Sequence, residues 1–262
     1  DEEINGTKCL MADKGVFDGY DFAAMVHMGP FSTATSEFIA LDGLGFKWHG
    51  QPAHAAAAPE KGRNALNAAR LFLDATDMMR QHVIEEARMH GFIKNGGEAS
   101  NIVPEFAEVE FLTRAPRRED LNDITAWVKD CARAAALATR TEVEMFPVGE
   151  PFHELYISKL GEKLMRESYD ELGIPCANQS GMKGSSDIGN VDYRCPAFHP
   201  MMGIGIEENC HTQEFADAMT TQGAHDAIKN SASLLLCMTA KMFGNPQLLQ
   251  QIKADHKAYR GY

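Results

Sequence analysis

Four features of the sequence have the residue types needed for metal-assisted hydrolysis. Glu2 and Glu3 form a carboxylate pair just ahead of Ile4-Asn5-Gly6. His27 ends a short apolar run, a position from which side chains project off a sheet edge into a cleft. His211 lies in Cys210-His211-Thr212-Gln213-Glu214-Phe215, a polar loop ahead of a long helical stretch. His54 lies in Gly50-Gln51-Pro52-Ala53-His54-Ala55-Ala56, between a strand and a helix. Two histidines and a carboxylate suit zinc or another borderline divalent ion, and a second, unbound carboxylate is the usual base for activating water there. The contiguous signatures of other chemistries are missing: no H-E-x-x-H, no G-x-S-x-G, no Walker loop and no G-x-G-x-x-G. An active site in this chain has to be assembled from distant positions.

Each feature also has an ordinary reading. The chain has 10 histidines, and any one alone reads as a surface or capping residue. An acidic pair near the chain start reads as solvated. Cys210 beside His211 has the makings of a thiol nucleophile, but no Asn or Asp partner can be assigned to it. Ser185-Ser186-Asp187 reads more cheaply as a helix or turn cap than as serine catalysis. Spacing alone leaves these readings beside the metal one.

The elements that must position these residues belong to a chain of ordinary globular composition. Of 262 residues, 44% are hydrophobic and 24% charged, which argues against disorder as the main state. The 37 acidic and 25 basic residues give a net charge of -12, which argues against nucleic acid as a partner. The one basic cluster, Arg114, Arg117 and Arg118, is too small to reverse that. Ser231 to Ala240, the most apolar stretch, is far shorter than the ~20 residues of a membrane helix, so no membrane partner is expected. No signal peptide is visible, and the six cysteines show no C-x-x-C pair or framework spacing, the usage of a cytoplasmic protein with reduced thiols. The start at Asp1, without Met, reads as that of a fragment.

The middle of the chain is the most legible. Phe38 to His49 is rich in strand formers, and Gly62 to Val83 carries Leu66, Ala69, Leu73, Thr76 and Val83 at helical spacing. Met89 to Ile93 is a short apolar run closed by Lys94-Asn95-Gly96-Gly97, a turn signal. Val109, Phe111 and Thr113 alternate with Glu108, Glu110 and Leu112. Leu121, Ile124, Val128, Cys131, Ala135 and Ala138 form a helical stripe, and Val143 and Met145 alternate with Glu142 and Glu144. The order β-α-β-β-α-β predicts a ferredoxin-like domain over 37–149. The flanks, 1–36 and 150–262, predict the two parts of one α/β domain that this unit interrupts. They hold a strand Ala23 to His27, a helix Tyr156 to Leu172, a buried strand Ala197 to Ile206 and one long helix Ala216 to Phe243.

At these same positions the sequence resembles the co-catalytic zinc amidohydrolases and peptidases of the aminoacylase and carboxypeptidase family, in the branch of the p-aminobenzoyl-glutamate hydrolases and aminoacylase-like dipeptidases. The blocks that carry the resemblance begin with Asp1-Glu2-Glu3, Gly6-Thr7-Lys8, Met25-Val26-His27-Met28-Gly29-Pro30 and Gly50-Gln51-Pro52-Ala53-His54-Ala55-Ala56. They continue through Gly62-Arg63-Asn64-Ala65-Leu66, His90-Gly91-Phe92-Ile93-Lys94-Asn95-Gly96-Gly97, Asn101-Ile102-Val103-Pro104 and Arg114-Ala115-Pro116. The last are Gly184-Ser185-Ser186-Asp187-Ile188-Gly189-Asn190-Val191 and His211-Thr212-Gln213-Glu214-Phe215.

The resemblance implies a zinc-peptidase-like catalytic α/β domain with an inserted lid or dimerisation domain. It implies cleavage of an amide next to a carboxylate-bearing residue in a small molecule: an aminobenzoyl-glutamate, a dipeptide or an N-acyl amino acid. Glu2 then matches the general base, and Glu3, His27 and His211 match ligands of a two-ion site, zinc first, with manganese and cobalt open. His54 matches a residue that reaches across a homodimer to polarise the scissile carbonyl, and Asn101 and Arg114 match groups that hold the substrate's carboxylate end. The family's first catalytic segment, with a further Cys and His ligand in this branch, has no counterpart here. The chain alone is therefore expected to be inactive and to bind at most one ion. The competing expectation is a non-catalytic dimerisation or binding remnant.

Overall fold

The computed structural model describes residues 5–178 and 183–261. The chain opens with helix α1 (Thr7–Asp13) and short strands β1 (Ala23–Ala24), β2 (His27–Gly29) and β3 (Glu37–Phe38). Next come β4 (Ala40–His49), α2 (Ala65–Met79), β5 (Arg88–Asn95), β6 (Phe106–Ala115), α3 (Arg118–Thr139) and β7 (Glu142–Pro147). The last stretch holds α4 (Lys159–Glu171), β8 (Lys183–Gly184), α5 (Ile188–Asp192), β9 (Ala197–Phe198) and β10 (Met201–Gly203). It closes with α6 (Gln213–Ala218), α7 (Gln222–Gly244) and α8 (Pro246–Arg260). Two compact units result: an inner one over Ala40–Phe152, and an outer one that includes Thr7–Ile39 and His153–Tyr262.

The inner unit is a four-stranded antiparallel sheet in the order β5-β6-β4-β7. That order and the β-α-β-β-α-β sequence of elements make it ferredoxin-like, as the periodicity predicts. Alternation fixes its faces: Ala107, Val109, Phe111, Thr113 and Ala115 of β6 are buried, whereas Glu108 and Glu110 lie on the other face, where both meet Lys94. The α3 stripe Leu121, Ile124, Val128 and Cys131 is buried in the same core. Along α2 the buried line is Ala65, Ala68, Ala69, Phe72, Thr76 and Met79, so Leu66 and Leu73 flank the core rather than form it. Phe72 is the centre of that core, with its ring 4.7 Å from Phe46, 5.4 Å from Trp48 and 5.4 Å from Phe111. Asp42 and Arg118 close the end of the unit: Nη1 meets the carboxylate at 2.7 Å, and Nη2 donates to the carbonyls of Leu41 and Phe152.

The strands of the outer unit are short and parallel. β1 pairs with β9, β2 with β10 and β3 with β8. A buried polar network holds its last helix. Arg260 sits between Glu154 and Asp192, at 2.7 Å from Glu154, with all three side chains at most 4% exposed. Asp192 also accepts the N–H groups of Tyr156 and Ala197, and His256 Nε2 lies 2.6 Å from its carbonyl. The stretch 216–243 is two helices rather than the expected one. Thr221 ends the first by donating to Ala218 O at 2.7 Å and begins the second by accepting from Ala224 N–H at 3.5 Å. No helix among the described residues is long and apolar enough to cross a membrane.

Candidate functional site

In the outer unit, parallel pairing sets His27 opposite Met201. Its Nδ1 lies 2.6 Å from the carbonyl of Met28. A carbonyl only accepts, so Nδ1 carries the proton and Nε2 keeps a lone pair, the arrangement of a metal-ligating histidine whose other nitrogen is held by a carbonyl. The same carbonyl accepts a weak hydrogen bond from the Cys210 thiol at 3.5 Å. The segments bearing His27 and His211 therefore meet, although 182 positions separate Met28 and Cys210. His211 is exposed and has a left-handed backbone at φ 70°, with Thr212 capping α6 behind it through Phe215 N–H at 3.2 Å. Glu2 and Glu3 lie outside the described residues. Among those described, no three His, Cys, Asp or Glu side chains gather closely enough to hold an ion. The donor chemistry of His27 nevertheless fits a borderline divalent metal.

One group that sequence reasoning missed adjoins this site. His199 stacks on His27, and burial, then the neighbouring His27, pull its pKa down to about 3, so it is neutral. In the stretch Ser185-Ser186-Asp187, read as a cap, Ser186 Oγ accepts the Ile188 N–H at 3.5 Å, while Asp187 makes no cap bond and binds Lys8. Lys8 and Asp187 each lie in a block that the sequence singles out, whereas His199 does not, and only the fold brings these partners together.

In the inner unit, His54 and Asn101 come together. Ala55 N–H donates to Asn101 O at 2.9 Å, and Val103 N–H donates to Ala53 O at 2.9 Å. His54 is exposed, and its Nδ1 accepts the N–H groups of Ala56 and Ala57 at 3.3 and 3.2 Å. The loop thus fixes the tautomer that carries its proton on Nε2, a donor able to approach a carbonyl oxygen. Arg114 lies elsewhere. It pairs with Leu41 and Arg88 near the end of β6, whereas Asn101 precedes the start of that strand at Phe106. At about 3.4 Å per residue, the strand holds Arg114 about 27 Å from Phe106. Burial lowers the Arg114 pKa, and burial followed by Arg114 and Arg80 does the same to His90 on the neighbouring strand. An anion reaching Arg114 meets a charge less screened than one in open water.

The fold is that of an α/β chain whose outer unit is interrupted by a ferredoxin-like one. Residues 42–140 match the peptidase dimerisation domain of the M20 type, and the chain is related along its length to the M20 amidohydrolases. It is 32% identical over 260 residues to a human Xaa-Arg dipeptidase, covering 98% of this chain and 60% of that protein. It is 28% identical over 319 residues to one of the subunits of the p-aminobenzoyl-glutamate hydrolase of Escherichia coli, covering 98% of this chain and 65% of that one. A putative aminohydrolase from methicillin-resistant Staphylococcus aureus shares the fold, with a TM-score of 0.71, 14% identity, and coverage of 90% of this chain and 64% of that one. The chain therefore spans less than two thirds of the length of these relatives.

Proposed function

We propose that the protein is a metal-dependent amidohydrolase that cleaves an amide next to a carboxylate-bearing residue and works as a homodimer in the cytoplasm. The observation that carries the dimer reading is the separation of His54 and Asn101 from Arg114 by the length of β6. One small amide cannot touch both ends of a strand about 27 Å long. A second copy that places its His54 and Asn101 beside the Arg114 of the first completes one site. The dimerisation-domain match supports the same arrangement, and six cysteines without a disulfide fit a reducing compartment.

In this reading Glu3, His27 and His211 hold the ion, zinc by preference for nitrogen and carboxylate donors. A bound ion of this kind supplies Lewis-acid polarisation and lowers the pKa of water. Glu2 takes the proton from the attacking water. His54 donates from Nε2 to the oxygen of the scissile carbonyl, and Arg114 and Asn101 hold the substrate carboxylate, Arg114 through a charge-assisted pair. The names of the relatives point to amino-acid amides as substrates, among them dipeptides and aminobenzoyl-glutamate.

The test is turnover by the full-length protein on a panel of dipeptides, N-acyl amino acids and aminobenzoyl-glutamate. Hydrolysis that a chelator abolishes and zinc restores is expected. Zinc-loaded, dimeric protein that cleaves none of these amides leaves the dimerisation-remnant reading in its place.

A further inference from the structure

His199 is 3% exposed and lies against the candidate ligand His27 with ring centroids 5.7 Å apart and planes 27° apart. Phe38 also meets it, edge-on at 4.7 Å and 84°. Its backbone is held as well. Ser36 Oγ donates to the His199 carbonyl at 3.0 Å, and the next residue, Pro200, accepts the His27 N–H at 3.0 Å. Turning the ring would break its contacts with both Phe38 and His27.

His27 is only half-buried. Its ring hydrogen bond to Met28 selects the tautomer, and that one contact does not by itself fix the plane of the ring. The stacked face of His199 supplies a second. His199 Nδ1, meanwhile, is buried with no hydrogen-bond partner among the described residues. A buried polar atom in that state is destabilising, so the residue is poorly explained as a stabilising core group.

We propose that His199 is a positioning residue for the metal site: its clamped, flat ring holds the His27 imidazole in the plane that presents Nε2 to the ion. The inference rests on the reading of His27 as a ligand. It requires the face of the ring, not its nitrogens.

Cobalt(II) titration of the full-length protein, read by the visible absorption of the bound ion, tests it alongside the melting temperature of the metal-free protein. His199→Ala, which removes the face, is expected to weaken cobalt binding about 10–100-fold, as losses of groups that orient ligands do, and to change the band shape. His199→Phe, which keeps a face and removes the orphaned nitrogen, is expected to bind within about threefold of wild type and to melt no lower. Should His199→Ala fail to fold, His199→Leu fills the space without a flat face and is expected to show the same weakening. Undiminished binding in the Ala or Leu variant overturns the inference, as does a loss in His199→Phe equal to that in His199→Ala. Wild-type protein that binds no cobalt, or a His27→Ala variant that binds it as tightly as wild type, overturns the ligand reading itself and the inference with it.

Discussion

Lys8 meets Asp187 twice, through Nζ at 2.7 Å and through its backbone N–H at 3.1 Å. The pair joins the start of α1 to the start of α5, and the Asp187 side chain is 1% exposed. Removing the carboxylate leaves a backbone donor and an ammonium without their anion. Asp187→Ala is expected to destabilise the outer unit by roughly 2–4 kcal/mol, less than a fully buried pair because Lys8 keeps 29% of its side chain in water. Urea denaturation followed by circular dichroism measures it, and Asp187→Asn, which keeps an acceptor for the backbone N–H, is expected to lose less.

Mixing of two inactive variants tests the division of labour along β6. In a His54→Ala/Arg114→Ala heterodimer, a trans arrangement leaves one site with both groups intact and the other with neither. Statistical exchange of equal amounts then restores about a quarter of wild-type turnover. A cis arrangement restores none. Turnover before and after subunit exchange distinguishes them.

Arg260 supplies the next expectation. Its side chain is 3% exposed between Glu154 and Asp192 and stacks on Tyr193, with its guanidinium carbon 3.7 Å from the ring centroid. Arg260→Ala strands two buried carboxylates and is expected to cost about 3–5 kcal/mol. Arg260→Lys retains the charge but not the planar fork that spans both acids, and should recover only part of that. Thermal melts of the three proteins measure both.

The Cys195 thiol gives a pH dependence with a defined sign. Burial, and behind it the charges of Asp192 and Asp18, push its pKa up to about 11, above the roughly 8.5 of an unfolded cysteine. The unfolded state therefore loses its proton first. The contribution of Cys195 to stability is whole below about pH 8.5 and is lost as the pH rises through 11, at about 1.4 kcal/mol per pH unit. Denaturation midpoints between pH 8 and 11 should fall more steeply in wild type than in Cys195→Ser, and native protein should leave Cys195 unlabelled by a thiol reagent at pH 8.

The inner unit was legible because its faces are written in local period. Val109, Phe111 and Thr113 alternate on β6, and Leu121, Ile124, Val128 and Cys131 recur on α3. The outer unit was less so. Its strands are two or three residues long, too short for alternation, and the break between α6 and α7 depends on one hydroxyl, that of Thr221. The last helix had readable signals, Asn245 as a cap and Pro246 in the first turn, which apolar periodicity alone does not register. Histidine positions could be picked out by type and neighbourhood. The stacking of His199 on His27, and the pairing of Lys8 with Asp187 across 179 positions, have no local spacing to betray them.

The left-handed backbone at His211 shapes how this chain can change over generations. Most side chains strain at φ 70°, while Gly and Asn adopt that conformation with little penalty. A lineage drifting to Gly or Asn at this position would keep the loop, the cap on α6 and the fold, and lose only the imidazole. A drift to Val or Ile would disturb the loop as well. If His211 is a metal ligand as proposed, descendants that have lost the metal site should be intact in shape and carry Gly or Asn at its position.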